Sequence, residues 1–183
     1  MILLNLMITR HGETDWNKYE KAQGVSNIPL NQTGIRQAYC LKNKLVPESI
    51  DLVICSPLKR ARTTAEIAIG DRGIPIIEDD RLIERNFGTL EGKPYSGIDF
   101  EKVWAPENNF AYCASLGVEA VPTLFSRVYD FIAEAEHVYK GKNILVVSHG
   151  CVSIAITHFY GKRSITYRPL PEFLDNCELK KFF

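Results

Sequence analysis

The stretch Ile2-Leu3-Leu4-Asn5-Leu6-Met7-Ile8-Thr9-Arg10-His11-Gly12-Glu13-Thr14 decides how this chain is read. A short apolar run of this kind, Ile2–Thr9, reads as a buried strand of a parallel sheet. Its end delivers Arg10 and His11 to the sheet edge. An arginine directly before a histidine raises the cost of charging the imidazole, which suits a neutral histidine facing a bound anion. A second run, Asn143–Ser148, ends in His149-Gly150 in the same way. Two strand-end His-Gly pairs, with arginines to hold a dianion, point to chemistry on a phosphoryl group.

Strands and helices alternate outward from there. Thr33–Leu45 reads as a helix stopped by Pro47, with Ile35, Ala38, Leu41 and Leu45 on one face. Asp51–Cys55 reads as a second strand. Ser56-Pro57 then reads as an N-cap followed by proline at the first helical position, with the helix running to Ile69 and Gly70 ending it. Ile74–Ile77 is a short strand, Pro122–Tyr139 a long amphipathic helix, Cys151–Tyr160 another helix, and Cys177–Phe182 a last edge strand. This rhythm predicts an α/β fold, a three-layer α/β/α sandwich on a mainly parallel central sheet. Residues 86–120 lack periodicity and read as an irregular insertion covering the site.

The bulk properties fit a single domain over 1–183. The 183 residues are 45% hydrophobic and 24% charged, with 22 basic and 22 acidic side chains and a formal charge of +0. That balance argues against a nucleic-acid or anionic-membrane partner recognised by bulk charge. Five cysteines, an odd number with no CxxC pair, read as reduced core thiols rather than a zinc site. The apolar N-terminus is too short to span a bilayer and lacks a basic leader, so a cytoplasmic protein is expected.

Ligands in such sheets gather at the carboxyl ends of parallel strands. Arg10, His11, Arg60, His149 and Gly150 all fall at strand ends or in the first turn beyond, so they can converge on one phosphate. A phosphate ester also needs a proton donor for its leaving oxygen. Glu84 follows the third strand and directly precedes the insertion, which makes it the candidate. Its alternative is a solvated ion pair with Arg81 or Arg85. His137 and His158 lack supporting neighbours and read as ordinary helix residues. The aromatics Phe87, Tyr95, Phe100, Trp104, Phe110 and Tyr112 read as packing under a loop, one or two of them within reach of substrate.

In these motifs the chain resembles the histidine phosphatase superfamily, phosphoglycerate mutase-like branch. The resemblance rests on Arg10-His11-Gly12-Glu13-Thr14 with Asn17, Gln23-Gly24, Pro29-Leu30-Asn31, Ser56-Pro57-Leu58-Lys59-Arg60-Ala61, Glu84 with Gly88-Thr89-Leu90-Glu91-Gly92, and Val146-Val147-Ser148-His149-Gly150. It implies that His11 becomes a phosphohistidine, that Arg10, Arg60 and His149 bind the phosphoryl oxygens, and that Glu84 is the general acid and base. It also implies that Asn17, Gln23 and Gly24 line the pocket and that no metal or other cofactor takes part. In one place the chain departs from the family pattern. Gly117-Val118-Glu119-Ala120 replaces a Gly-Glu-Ser-like segment, which puts a pocket role for Glu119 in doubt.

Mutases of this kind carry an adjacent arginine pair in the insertion to hold a second anionic group. Residues 86–126 here contain no arginine. The expected activity is therefore that of a phosphomonoesterase acting on a small phosphorylated metabolite and releasing inorganic phosphate. A phosphoglycerate mutase is the alternative, and a non-catalytic phosphate-binding module a second one. An α-ribazole-phosphate phosphatase or a broad-specificity phosphatase fits the first reading.

Overall fold

The structure is a computed structural model, and it describes residues 4–104, 110–161 and 173–182. Strands β1 (Asn5–Arg10), β2 (Leu52–Cys55), β3 (Ile76–Glu78), β4 (Asn143–Ser148) and β5 (Leu179–Phe182) form a sheet in the order β3-β2-β4-β1-β5. β3, β2, β4 and β1 run parallel to one another, and only β5 is antiparallel, pairing with β1. The helices are α1 (Asp15–Lys18), α2 (Gln32–Leu45), α3 (Lys59–Ile69), α4 (Phe100–Trp104), α5 (Phe110–Leu116), α6 (Val121–Val138) and α7 (Gly150–Gly161).

Strand alternation divides the core into two layers. Leu6 and Ile8 of β1, Leu52 and Ile54 of β2, and Ile144 and Val146 of β4 face α6, α7 and the 86–120 segment. Met7, Val53, Cys55, Leu145 and Val147 face the other way, onto Ala38, Leu41 and Leu45 of α2 and Ala61, Ala65 and Ala68 of α3. The central strands are therefore apolar on both faces, which is why they read as continuous hydrophobic runs. The three-layer α/β/α arrangement and the mainly parallel sheet are as expected from the sequence.

Several boundaries differ. β1 starts at Asn5 and extends to Arg10, because Arg10 pairs with Ser148 in register; Ile2 and Leu3 lie outside the described residues. β3 shifts to Ile76–Glu78, and β5 to Leu179–Phe182. The helix after β2 does not begin at Ser56-Pro57. It starts at Lys59, and its N-cap is Leu58, which gives no side-chain cap. It does end at Gly70, whose φ of 54° is the left-handed conformation glycine adopts cheaply. The 86–120 segment is less irregular than expected, since α4 and α5 and short 3-10 turns at Gly88–Leu90 and Tyr95–Gly97 build it.

Candidate active site

Parallel register brings the ends of three strands together. His11 N donates to Ser148 O at 2.9 Å, and Ser56 N donates to Val147 O at 3.0 Å, so the residues just past β1, β2 and β4 share one edge. The rings of His11 and His149 stand there with centroids 5.2 Å apart. Both are buried. Burial, reinforced by Arg60 and then by further positive charge around them, holds both imidazoles well below the ordinary histidine pKa. Each is therefore neutral at pH 7.

Each ring is oriented by one bond. His11 Nδ1 lies 2.7 Å from Gly12 O, a carbonyl that can only accept, so Nδ1 carries the proton and Nε2 keeps its lone pair. Gly12 N in turn donates to Thr64 Oγ1 at 3.0 Å, and Thr64 Oγ1 donates to Arg60 O at 2.6 Å, which ties the histidine loop to α3. A Cβ on Gly12 would run into the Gly34 backbone, so only glycine lets the loop sit this close to α2. His149 Nε2 lies 2.8 Å from Ser56 Oγ, while its Nδ1 is buried without a protein partner. The hydroxyl read from sequence as a helix cap is thus held against the second histidine.

Arg60 is fully buried, and burial pulls its pKa down to about 10, which still leaves it charged at neutral pH. Its Nη1 donates to Ser26 O and its Nη2 to Gly24 O, both at 2.7 Å, and Nε is unpaired. Glu91 holds the loop that supplies those carbonyls. Its carboxylate accepts from Val25 N and Ser26 N at 2.9 Å and from Phe87 N at 3.2 Å. Gly24 has φ +52° and lies against Glu91 with no room for a side chain. Arg10 donates to Leu174 O at 3.1 Å and lies 4.9 Å from the centre of the Phe173 ring, with its Nε unpaired.

Arg10, His11, Gln23, Gly24, Arg60, Glu84 and Gly150 all line one cavity of about 220 Å³. Glu84 is buried, and its carboxylate accepts from Arg85 N at 2.9 Å and from Cys151 N at 3.2 Å, the latter in the first turn of α7. It makes no ion pair with the neighbouring arginines. Arg81 pairs with Asp79 and Glu134, and Arg85 turns to the carbonyls of Val103 and Glu119.

Two expectations need correction. Asn17 is not among the residues lining the cavity, and its Oδ1 accepts from Thr14 N and Thr14 Oγ1 at 3.1 Å in the capping box of α1. The inserted aromatics do more than pack: Phe87, Tyr95, Phe100 and Trp104 line the cavity, whereas Phe110 is exposed. Glu119 stays out of the cavity and pairs with Arg127 at 2.8 Å. His137 is exposed, and His158 is bonded to Tyr129. The sequence gives no site role to Cys151 or Phe173, and it offers Ser56 and Thr64 within motifs without their partners His149 and Gly12. Ser56 and Thr64 sit inside the quoted Ser56–Ala61 region or one turn beyond it, but Phe173 carries no local signal.

Buried neutral histidines between fixed guanidinium groups, with a carboxyl across the cavity, are suited to covalent phosphoryl transfer. The chain belongs to the histidine phosphatase superfamily (branch 1), whose family model matches residues 6–182. Among its relatives is an uncharacterized phosphatase, PhoE of Bacillus subtilis, 37% identical over 81% of this chain and 73% of that protein. A probable phosphoglycerate mutase, GpmB of Yersinia pestis, is 32% identical over 98% of this chain and 84% of its own length. A solved structure of a putative α-ribazole-5'-phosphate phosphatase from Escherichia coli is 34% identical, covers 86% of this chain and 80% of its own, and superposes with a TM-score of 0.71. Among the described residues no helix is long and apolar enough to cross a membrane, and no group of three or more His, Cys, Asp or Glu could hold a metal ion.

Proposed function

We propose that this protein is a phosphomonoesterase that hydrolyses a small phosphorylated metabolite through a phosphohistidine on His11. The observation that carries this reading is the buried neutral imidazole of His11, which lines a cavity with Arg10, Arg60 and Glu84 and has the buried His149 ring 5.2 Å from it. The unpaired Nε atoms of Arg10 and Arg60 and the buried Nδ1 of His149 are donors for phosphoryl oxygens. His11 Nε2 attacks phosphorus, the P–O ester bond breaks, and Glu84 gives its proton to the departing alkoxide. Water then attacks the phosphohistidine, Glu84 takes the water's proton, and inorganic phosphate leaves with His11 regenerated. Fixed positive charge stabilises the transferring group, so no metal is required.

Product analysis tests this. The expected result is stoichiometric inorganic phosphate, inhibition by vanadate and no effect of EDTA. Interconversion of 2- and 3-phosphoglycerate without phosphate release would mean a mutase instead. Tight phosphate binding with no ester turned over would mean a binding module.

A further inference from the structure

The alcohol half of the ester has to occupy the part of the cavity that the phosphoryl group leaves. Arg10, His11 and Arg60, assigned above to the phosphoryl group, supply part of the cavity lining together with Gln23 and Gly24. Besides Glu84, Gly150 and Cys151, the remaining wall is Phe87, Tyr95, Phe100, Trp104, Ile154 and Phe173. Five of these six side chains are aromatic, and they come from three separate parts of the chain.

This wall is held in place. Arg85 is fully buried, with its guanidinium 4.9 Å from the centre of the Trp104 ring and 5.6 Å from that of Phe87. Its Nη2 bonds Val103 O, next to Trp104, and its Nε bonds Glu119 O, both at 2.8 Å. A buried cation thus pins two wall aromatics from outside the cavity. Tyr95 and Phe100 meet edge to face at 5.4 Å. Phe173 completes the wall at the mouth. It is 51% exposed yet packs on Arg10, so a large apolar ring is kept facing solvent beside the phosphate-binding guanidinium. Among the described residues that line the cavity, the cations are Arg10 and Arg60, the two assigned above to the phosphoryl group.

Resting on the phosphatase reading above, we propose that the substrate is a phosphate monoester whose alcohol carries a flat aromatic or heteroaromatic ring, taken up between the Trp104, Phe100 and Phe173 side chains. Ring contacts of this kind reward a planar π-system beyond its apolar area, and a rigid wall loses little entropy on binding.

The test compares alkyl esters whose alcohols have similar basicity, so that leaving-group acidity does not masquerade as recognition. Benzyl phosphate and 1-naphthylmethyl phosphate are set against cyclohexylmethyl phosphate and n-propyl phosphate. The expected kcat/KM for the aromatic esters exceeds that of n-propyl phosphate by about tenfold or more, and that of cyclohexylmethyl phosphate by several-fold. Trp104→Leu should narrow both ratios. Equal kcat/KM for benzyl and cyclohexylmethyl phosphate, or a preference for 2-phosphoglycerate, would overturn the aromatic assignment and leave the phosphatase reading standing. Hydrolysis of none of the esters would overturn both.

Discussion

Ser56 Oγ lies 2.8 Å from Nε2 of His149 and joins the end of β2 to the end of β4. The same hydroxyl oxygen accepts from Leu58 N at 3.3 Å. In the proposed mechanism the hydroxyl proton goes to Nε2, which places the histidine's own proton on Nδ1, the ring atom that has no protein partner. On the phosphatase proposal, this relay would present a donor to a phosphoryl oxygen without charging the ring. Ser56→Ala breaks it and leaves a buried imidazole nitrogen unpaired, at a cost of about 1–3 kcal/mol. The expected loss in kcat/KM on p-nitrophenyl phosphate is about tenfold or more. An unchanged value would remove Ser56 from the account.

Glu91 acts on Arg60 through the 23–26 loop. Glu91→Gln replaces a carboxylate oxygen with an amide that cannot accept from Val25 N, Ser26 N and Phe87 N together. The Gly24 and Ser26 carbonyls then no longer fix the guanidinium. Vanadate affinity should fall about tenfold, as for loss of a charge-assisted bond. Affinity equal to wild type would show that the loop holds its shape without this carboxylate.

The two depressed imidazoles make stability pH-dependent. In the unfolded chain each histidine takes a proton below about 6.5, whereas the folded protein resists protonation until lower pH. Between those limits the unfolded state binds more protons, so stability rises with pH in this window and is lost as pH falls through it. Urea midpoints measured from pH 7.5 down to 4.5 should decline from about pH 6.5, and His149→Gln should flatten the slope. An identical slope in the variant would contradict the burial argument.

Glu84→Gln separates the roles of acid and binding group. It should slow alkyl phosphates at least about a hundredfold while slowing the first step on p-nitrophenyl phosphate far less, since nitrophenolate leaves without a proton. Equal losses in that step would exclude Glu84 as the acid.

Much of this site is legible in sequence because strand ends are legible. β1 and β4 are continuous apolar runs, and their parallel pairing fixes where Arg10, His11 and His149 must sit. Arg60 follows from its place in the first turn of α3. Ser56 reads both as a strand-end residue and, before Pro57, as a helix start, and only the pairing of β2 with β4 shows that His149 stands opposite. Asn17 belongs to the opening motif, yet a capping box takes up its side-chain oxygen, which the sequence alone does not show. The aromatic wall is legible only in part: Phe87, Tyr95, Phe100 and Trp104 stand out in the insertion, but which of them share one cavity with Phe173 follows no local period.

The most direct measurement is a rapid quench of Glu84→Gln with an aryl phosphate labelled at phosphorus, followed by peptide mapping. The variant should accumulate an acid-labile, base-stable phosphoramidate at close to one per chain, located on His11, and His11→Ala should carry none. Label on another residue, or full turnover with no covalent phosphate ever trapped, would contradict the phosphohistidine mechanism.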